Sequence, residues 1–419
     1  MKKPNTQPRK TIVVKYGGAS LADNNRILKA AKAVTKEAEK GTHIAVVVSA
    51  MGKTTDQLLH TAKNTSNGKI EKKELDEILA MGERTSVRIF AAALKANGIQ
   101  SRYFDPSDPD WPIITDDAFS DANPILDKCE ERIRQHVLPL IQKGIIPVIA
   151  GFVGRTPEGK ITTVGRGGSD TTAFILAKSL NADELILVTD AEGIMSADPK
   201  IINKPKKLPK IDVNTLVGLA DSGTKFIHRK ALRYKDPAVK VRVISHTNGD
   251  LNTEGTWITG ALSTELNAAL ESQSPAMSIT IVGSGISQKP QVIQELIEKV
   301  KAHAHLLGLS LNYNSIILYA AENENSNALL EKIHESIIKH EETLAMSVRK
   351  QLAFLKVKGV GLEETPGLIG KISETLRLNS INIFGLLTIT SSILLFVDWN
   401  EKERALKMVK DALQGDLNA

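Results

Sequence analysis

From Thr11 to about Gly260, short runs of β-branched and other apolar residues alternate with longer stretches whose apolar positions recur every three or four residues. The runs predict strands over Thr11–Lys15, His43–Ser49, Ile99–Phe104, Ile145–Ala150, Glu184–Val188 and Val239–Ser245. Between them the longer period predicts helices such as Glu71–Ala96 and Ala122–Lys143. Strand and helix in alternation predict a mostly parallel sheet covered on both faces, an α/β domain over residues 1–260.

Residues 261–275 lose that rhythm and read as a linker, after which the chain repeats itself. Gly283 and Gly359, like Pro290 and Pro366, stand 76 positions apart. In the first copy an apolar strand ends in Gly283-Ser284-Gly285, and Pro290 opens a helix with Val292, Ile293, Leu296 and Val300 on one face. In the second, the strand ends in Gly359-Val360-Gly361, and Pro366 opens a helix with Leu368, Ile369, Ile372 and Leu376. Two apolar strands and a second helix follow in each, which is the βαββα order of a split βαβ, ferredoxin-like module. The expected modules are residues 276–350 and 351–419. Thr343–Lys350 can close the sheet of the first copy, whereas the second ends in the helix Lys407–Leu413 and a polar tail. Its fourth strand comes from elsewhere in the chain, comes from another subunit, or is missing and leaves the edge open.

Composition narrows the class. A chain of 419 residues with 42% hydrophobic and 24% charged residues is long enough for two or three domains and is neither disordered nor membrane-like. The net charge of +6 is spread among 48 acidic residues, and only 4% of residues are aromatic, a poor footprint for nucleic-acid binding. The run Lys204–Lys210 contains two prolines and reads as a solvated loop. The single cysteine, Cys129, excludes an internal disulfide and a cysteine-based metal site. No window reaches the ~18 apolar residues of a membrane span, and the basic N-terminus leads into a strand rather than an apolar leader, so a cytoplasmic protein is expected.

The first strand ends in Lys15-Tyr16-Gly17-Gly18-Ala19-Ser20. Two glycines beside a lysine let backbone N–H groups converge on an anion, although an ordinary tight turn explains the hexamer equally well. A more specific pattern is Thr162-Thr163-Val164-Gly165-Arg166-Gly167-Gly168-Ser169-Asp170-Thr171-Thr172-Ala173, a glycine nest leading into the apolar helix Ala173–Leu180, which Ser169 or Asp170 can cap. Its glycines stand beside one fixed charge of each sign, which a structural turn does not need. A dinucleotide fingerprint fails because its third glycine falls on Asp170, and a P-loop ending at Gly52-Lys53-Thr54 fails because its first glycine falls on Val47. Thr189-Asp190-Ala191-Glu192-Gly193 follows a strand at the end where α/β sheets bind ligands, with a plain turn as the competing reading. Gly223-Thr224-Lys225 offers a second lysine, in competition with a solvated surface position.

In this order the segments resemble the aspartate kinases of the amino-acid kinase family over nearly the whole chain. KYGGAS is similar to that family's opening K-[FY]-G-G-[TS]-S, and SAMGKTTD, MGERTS, TTVGRGGSDTTA, TDAEGI with Ala197-Asp198-Pro199, and the G-[AT]-K segment follow in sequence. The repeated tail resembles paired ACT modules. The resemblance implies an αβα sandwich followed by two ferredoxin-like modules, and transfer of the γ-phosphoryl group of ATP, with Mg²⁺ carried on it, to the β-carboxylate of L-aspartate. The product is 4-phospho-L-aspartate, on the way to lysine, threonine and methionine.

Residue by residue, the resemblance implies that Lys15 and Lys225 meet the transferring group, that Asp170 orients them, and that Gly17 and Gly18 cradle phosphates. Thr189, Asp190, Met195 and Lys200 would line the nucleotide site. Arg166, with Gly167 and Ser169 beside it, would take the α-carboxylate of aspartate, Glu83 its α-amino group, and Thr55 would lie in the same pocket. No protein side chain is implied as a metal ligand. Thr365, Pro366, Gly367 and Asn382 resemble an ACT effector loop for lysine or threonine, and ACT pairing implies a homodimer or larger. The chain departs from the family at Ala19, Met195, Lys200 and Arg229. Such a reaction needs no general base, because a carboxylate is already ionised at neutral pH; positioning and charge neutralisation suffice. Two alternatives stand beside it. A non-catalytic amino-acid sensor is opposed by the joint presence of Lys15, Asp170 and Lys225, and a carboxylate kinase for another amino acid by the ACT tail.

Overall fold

The computed structural model describes residues 9–198, 201–221, 227–262, 266–359, 362, 367–389 and 392–414. The chain divides into two compact units, Met1–Leu262 and Ser263–Ala419. Lys200, Lys225, Thr365 and Pro366 lie outside the described residues.

In the first unit the elements run β1 (Thr11–Tyr16), α1 (Asn24–Ala38), β2 (His43–Val48), α2 (Thr54–Thr65), α3 (Lys72–Ala96), β3 (Ser101–Phe104), α4 (Leu126–Arg132), α5 (Leu138–Gln142) and β4 (Ile146–Ala150). The hairpin β5 (Val153–Arg155) and β6 (Ile161–Thr163) leads to α6 (Gly168–Ser179), β7 (Glu184–Thr189), β8 (Lys210–Asp212), α7 (Val213–Asp221), α8 (Arg229–Leu232), β9 (Lys240–Ser245) and β10 (Thr256–Thr259). One sheet takes eight of these strands in the order β3-β4-β2-β1-β7-β9-β10-β8. Every pairing in it is parallel except β9 with β10. The central strands are buried along nearly their whole length, as expected of a parallel sheet between two layers of helices. Packing of α1 on α3 and of α4 on α6 builds those layers.

Register decides where ligands can gather. Tyr16 pairs with Val48 and Val188, Val48 with Ala150, and Val188 with Ile244, so five strands end together and present their following loops side by side. The predicted strands all form, each within two residues of its expected bounds. The helix expected over Ala122–Lys143 begins at Leu126 and is interrupted by a π-turn at Ile133–Val137, just before Pro139, which has no N–H to continue the ladder.

The second unit contains β11 (Asn267–Leu270), β12 (Ala276–Gly283), α9 (Pro290–His303), β13 (Leu306–Asn312), β14 (Ser315–Ala321), α10 (Ser326–Lys339) and β15 (Thr343–Lys358). It continues with α11 (Leu368–Leu378), β16 (Gly385–Ile389), β17 (Ser392–Asp398) and α12 (Lys402–Gln414). A single sheet has the order β13-β14-β12-β15-β17-β16, with β11 added to β15. The expected boundary between residues 350 and 351 therefore falls inside one strand: the first half of β15 pairs with β12 and the second with β17. A register shift between Ala276 and Ser278, with Gln351 at a φ of 57°, marks the junction as a bulge.

The expected linker 261–275 is also corrected, because β11 lies within it. Asn267 to Leu270 pair antiparallel with Lys358 to Leu355, on the edge of β15 that β17 leaves free. The fourth strand of the second module thus comes from this chain, ahead of the first module. Helices α9 and α10 cover Met277, Ile279, Ile281, Ile316 and Leu318, while α11 and α12 cover Ala353, Leu355, Val357, Ile393 and Leu395. On the opposite face Tyr319 stacks on Phe396 at 4.0 Å between ring centres, and Phe354 on Phe396 at 5.0 Å. No helix among the described residues is long and apolar enough to cross a membrane.

Candidate active site

Lys15 is the penultimate residue of β1, and its Nζ lies 2.7 Å from Oδ1 of Asp170 in the first turn of α6. Their side chains are 14% and 13% exposed, so the pair is shielded but open to a ligand. Gly17 donates its N–H to the carbonyl of Val188 at 3.1 Å, and the hydroxyl of Ser20 donates to the same oxygen at 3.2 Å. Gly18 accepts from the N–H of Gly52 at 2.9 Å. A Cβ on Gly18 would lie 2.8 Å from the Ala50 oxygen and 3.0 Å from that of Gly52, so this glycine is required by the contact between two loops. Gly17 has an ordinary extended backbone, φ −71° and ψ 161°, and a Cβ there would face Lys15 Nζ at 3.7 Å.

The glycine nest after β6 depends on left-handed backbone. Gly165 has φ 76° and Gly167 φ 74°. Gly167 is the N-cap of α6, with no side-chain cap. The helix therefore starts five residues before the expected Ala173, and Ser169 and Asp170 are inside its first turn instead of capping it. That places the Asp170 carboxylate over the sheet, facing Lys15. Ser169 is buried where a side chain on Gly151 would come within 2.7 Å of its Oγ. Arg166 is exposed at the crest of the nest. Beneath it, Lys230 donates to the Val164 carbonyl at 2.8 Å and to Asp121 Oδ1 at 2.6 Å.

Helix α3 carries two buried carboxylates on one face. Glu83 is 3% exposed; its Oε1 accepts the N–H of Ala50 at 3.0 Å, while its Oε2 is buried with no hydrogen-bond partner among the described residues. Burial pushes its pKa from 4.5 up to about 7. Gly82 lets the helix approach so closely, since a Cβ there would be 2.8 Å from Cβ of Ala50. Two turns earlier Asp76 is fully buried and accepts bonds from Thr163 and Ser120. Sequence reasoning passed over Asp76, yet a signal was there: it shares the buried stripe of α3 with Leu79 and Glu83.

The remaining expected residues lie on separate elements. Thr55 is the second residue of α2 and half-buried. The hydroxyl of Thr189 donates to Asp190 Oδ1 at 3.1 Å, and Asp190 is exposed. Met195 is half-buried and bridges to Lys207, so the basic run read as a loop is partly tied down, and its last residue, Lys210, opens β8. Arg229, a departure from the family pattern, is buried at the start of α8. In the second unit Gly367, at φ 83°, precedes α11 as its N-cap, and Asn382 is exposed.

A profile of the amino acid kinase family matches residues 10–245. An aspartokinase of Thermus thermophilus is 30% identical over 413 residues, covering 97% of this chain and 99% of that one. Among solved structures, an aspartate kinase from Synechocystis aligns with a TM-score of 0.77 at 23% identity, over 96% of this chain and 69% of that chain. Aspartokinase III of E. coli, in complex with aspartate and ADP, aligns with a TM-score of 0.55 at 20% identity, over 96% of this chain and all of that one. At these identities the two structural likenesses speak for the fold.

Proposed function

Since the chain belongs to the amino acid kinase family, among its aspartokinases, we propose that it transfers the γ-phosphoryl group of ATP to the β-carboxylate of L-aspartate, giving 4-phospho-L-aspartate. The observation that carries this reading is the Lys15–Asp170 ion pair at the common end of β1, β2 and β7, beside a nest bearing Arg166. Two anions have to meet in the reaction, and the carboxylate attacks without losing a proton, so the protein's task is to hold both groups and neutralise their charge. In this reading Lys15, held by Asp170, meets the transferring phosphoryl group, with Lys225 as a second cation. Gly17 and Gly18 face the nucleotide phosphates, and Thr189, Asp190, Met195 and Lys200 the rest of the nucleotide. Arg166, Gly167 and Ser169 receive the α-carboxylate of aspartate, Glu83 its ammonium, and Thr55 lines the same pocket.

Among the described residues no group of three His, Cys, Asp or Glu side chains is placed to hold a metal ion. In this reading a magnesium ion arrives on the phosphate oxygens of ATP and screens their charge there. For the second unit we propose binding of a small amino acid, lysine or threonine, around Gly367 and Asn382 with Thr365 and Pro366, and self-association into at least a dimer. Both rest on the duplicated ferredoxin-like sheet.

The decisive assay traps acyl phosphate as a hydroxamate with ATP and a series of acids. Product with L-aspartate and little with glutamate is expected. Product with another amino acid only would refute the substrate, and amino-acid binding without any phosphoryl transfer would leave a sensor.

A further inference from the structure

The four hydrogen bonds that Asp76 accepts among the described residues come from the two segments that flank the nest. Thr163 donates its N–H to Oδ2 at 2.8 Å and its hydroxyl to Oδ1 at 2.7 Å; Ser120 donates its N–H to Oδ2 at 2.8 Å and its hydroxyl to Oδ1 at 3.3 Å. Thr163 ends β6, three residues before Arg166. Ser120 adjoins Asp121, whose carboxylate holds Lys230 and occupies the space beside Gly165.

All four donors are neutral. Burying a carboxylate among neutral donors is an unfavourable way merely to fasten a hairpin to a helix, which apolar contacts do at lower energy. What the carboxylate adds is direction, because each oxygen takes two bonds at fixed angles. Those bonds set the height of the Thr163–Arg166 stretch along α3, and Glu83 lies on the same face two turns, roughly 10 Å, further on. The helix is thus a ruler with the nest fastened at one mark and Glu83 at the other.

We infer that Asp76 is a positioning residue of the aspartate site, holding Arg166 in register with Glu83 so that one amino-acid headgroup can reach both. The inference rests on the proposed assignment of Arg166 to the α-carboxylate and Glu83 to the ammonium.

The test is steady-state kinetics of Asp76→Asn, Arg166→Ala and the double variant of the full chain, varying aspartate and ATP separately. Asp76→Asn keeps the shape but turns one acceptor into a donor facing N–H and hydroxyl groups. The expected result is a rise in KM for aspartate of about tenfold or more, with KM for ATP within about twofold. In the Arg166→Ala background the same change should add no more than about twofold, because a residue acting through Arg166 has nothing left to position. Equal effects in both backgrounds, or a joint rise of both KM values with a lowered melting temperature, would overturn the inference and leave Asp76 a fold tie. If Arg166→Ala alone leaves KM for aspartate unchanged, the assignment of Arg166 fails visibly, and the inference with it. Should Asp76→Asn not fold, Thr163→Val removes only one of the four bonds; a rise of about threefold in KM for aspartate alone is expected, and an unchanged value is contrary.

Discussion

Glu83 is the side chain in which burial and charge are most opposed. One oxygen has a backbone partner, the other is buried without one among the described residues, and burial pushes the pKa up to about 7. Between pH 4.5 and 7 the folded chain retains a proton that the unfolded chain has released, so this residue lowers stability as pH rises through that window, by about 3 kcal/mol at its end. An ammonium beside the orphan oxygen reverses the preference, so binding of aspartate should expel the proton. We expect kcat/KM for aspartate to rise with pH and level off near 7, with KM for ATP nearly flat; in Glu83→Gln the inflection should vanish and aspartate bind at least tenfold more weakly. An inflection surviving in that variant would assign it elsewhere. Lys15 makes a different demand, since it counts only as charge builds on the phosphoryl group. Lys15→Ala should lower kcat by about 10²–10³, on the order of 3 kcal/mol in the barrier, in single-turnover measurements.

At the scale of elements, the two glycines after β1 separate packing from ligand binding. Gly18→Ala would drive a Cβ into two backbone oxygens and force the loops at 17–20 and 49–53 apart. A loss of about 1–3 kcal/mol in thermal or urea unfolding is expected. Gly17→Ala meets no such contact and needs no unusual backbone, so its stability should change by less than about 1 kcal/mol. If Gly17 faces phosphates, its KM for ATP should nevertheless rise clearly; stability and KM both unchanged would remove Gly17 from the site. The early start of α6 belongs to this scale too. The left-handed Gly167 takes the N-cap position without a side-chain cap, which puts Ser169 and Asp170 inside the first turn and leaves Asp170 facing Lys15.

At the scale of the molecule, β15 makes the duplicated tail one body. A strand that pairs with β12 in its first half and with β11 and β17 in its second couples the two modules through continuous backbone. Ala268, buried in β11, tests this: Ala268→Asp places an unpaired charge in the core of the second module and should destabilise it by about 2–4 kcal/mol. Scanning calorimetry should show both modules unfolding together at a lower temperature while the transition of the first unit stays put; separate melting of the two modules would contradict the coupling. Much of this architecture was legible in the chain. Strand and helix order, the 76-residue repeat and the glycine-rich turns follow from periods and from backbone conformations that only a few positions away decide. What was not legible is whatever depends on partners far apart in sequence. Asn267–Leu270 has no strand period of its own and becomes a strand only because β15 offers an unpaired edge. Asp76 reads as one more helix carboxylate until Thr163, 87 positions on, is folded against it. Sequence alone determined the elements and the motifs at their ends, because those depend on local sterics and hydrophobic period. The tertiary structure alone decided which carboxylates are buried and which edge is filled, because burial and long-range hydrogen bonds exist only once the chain has packed.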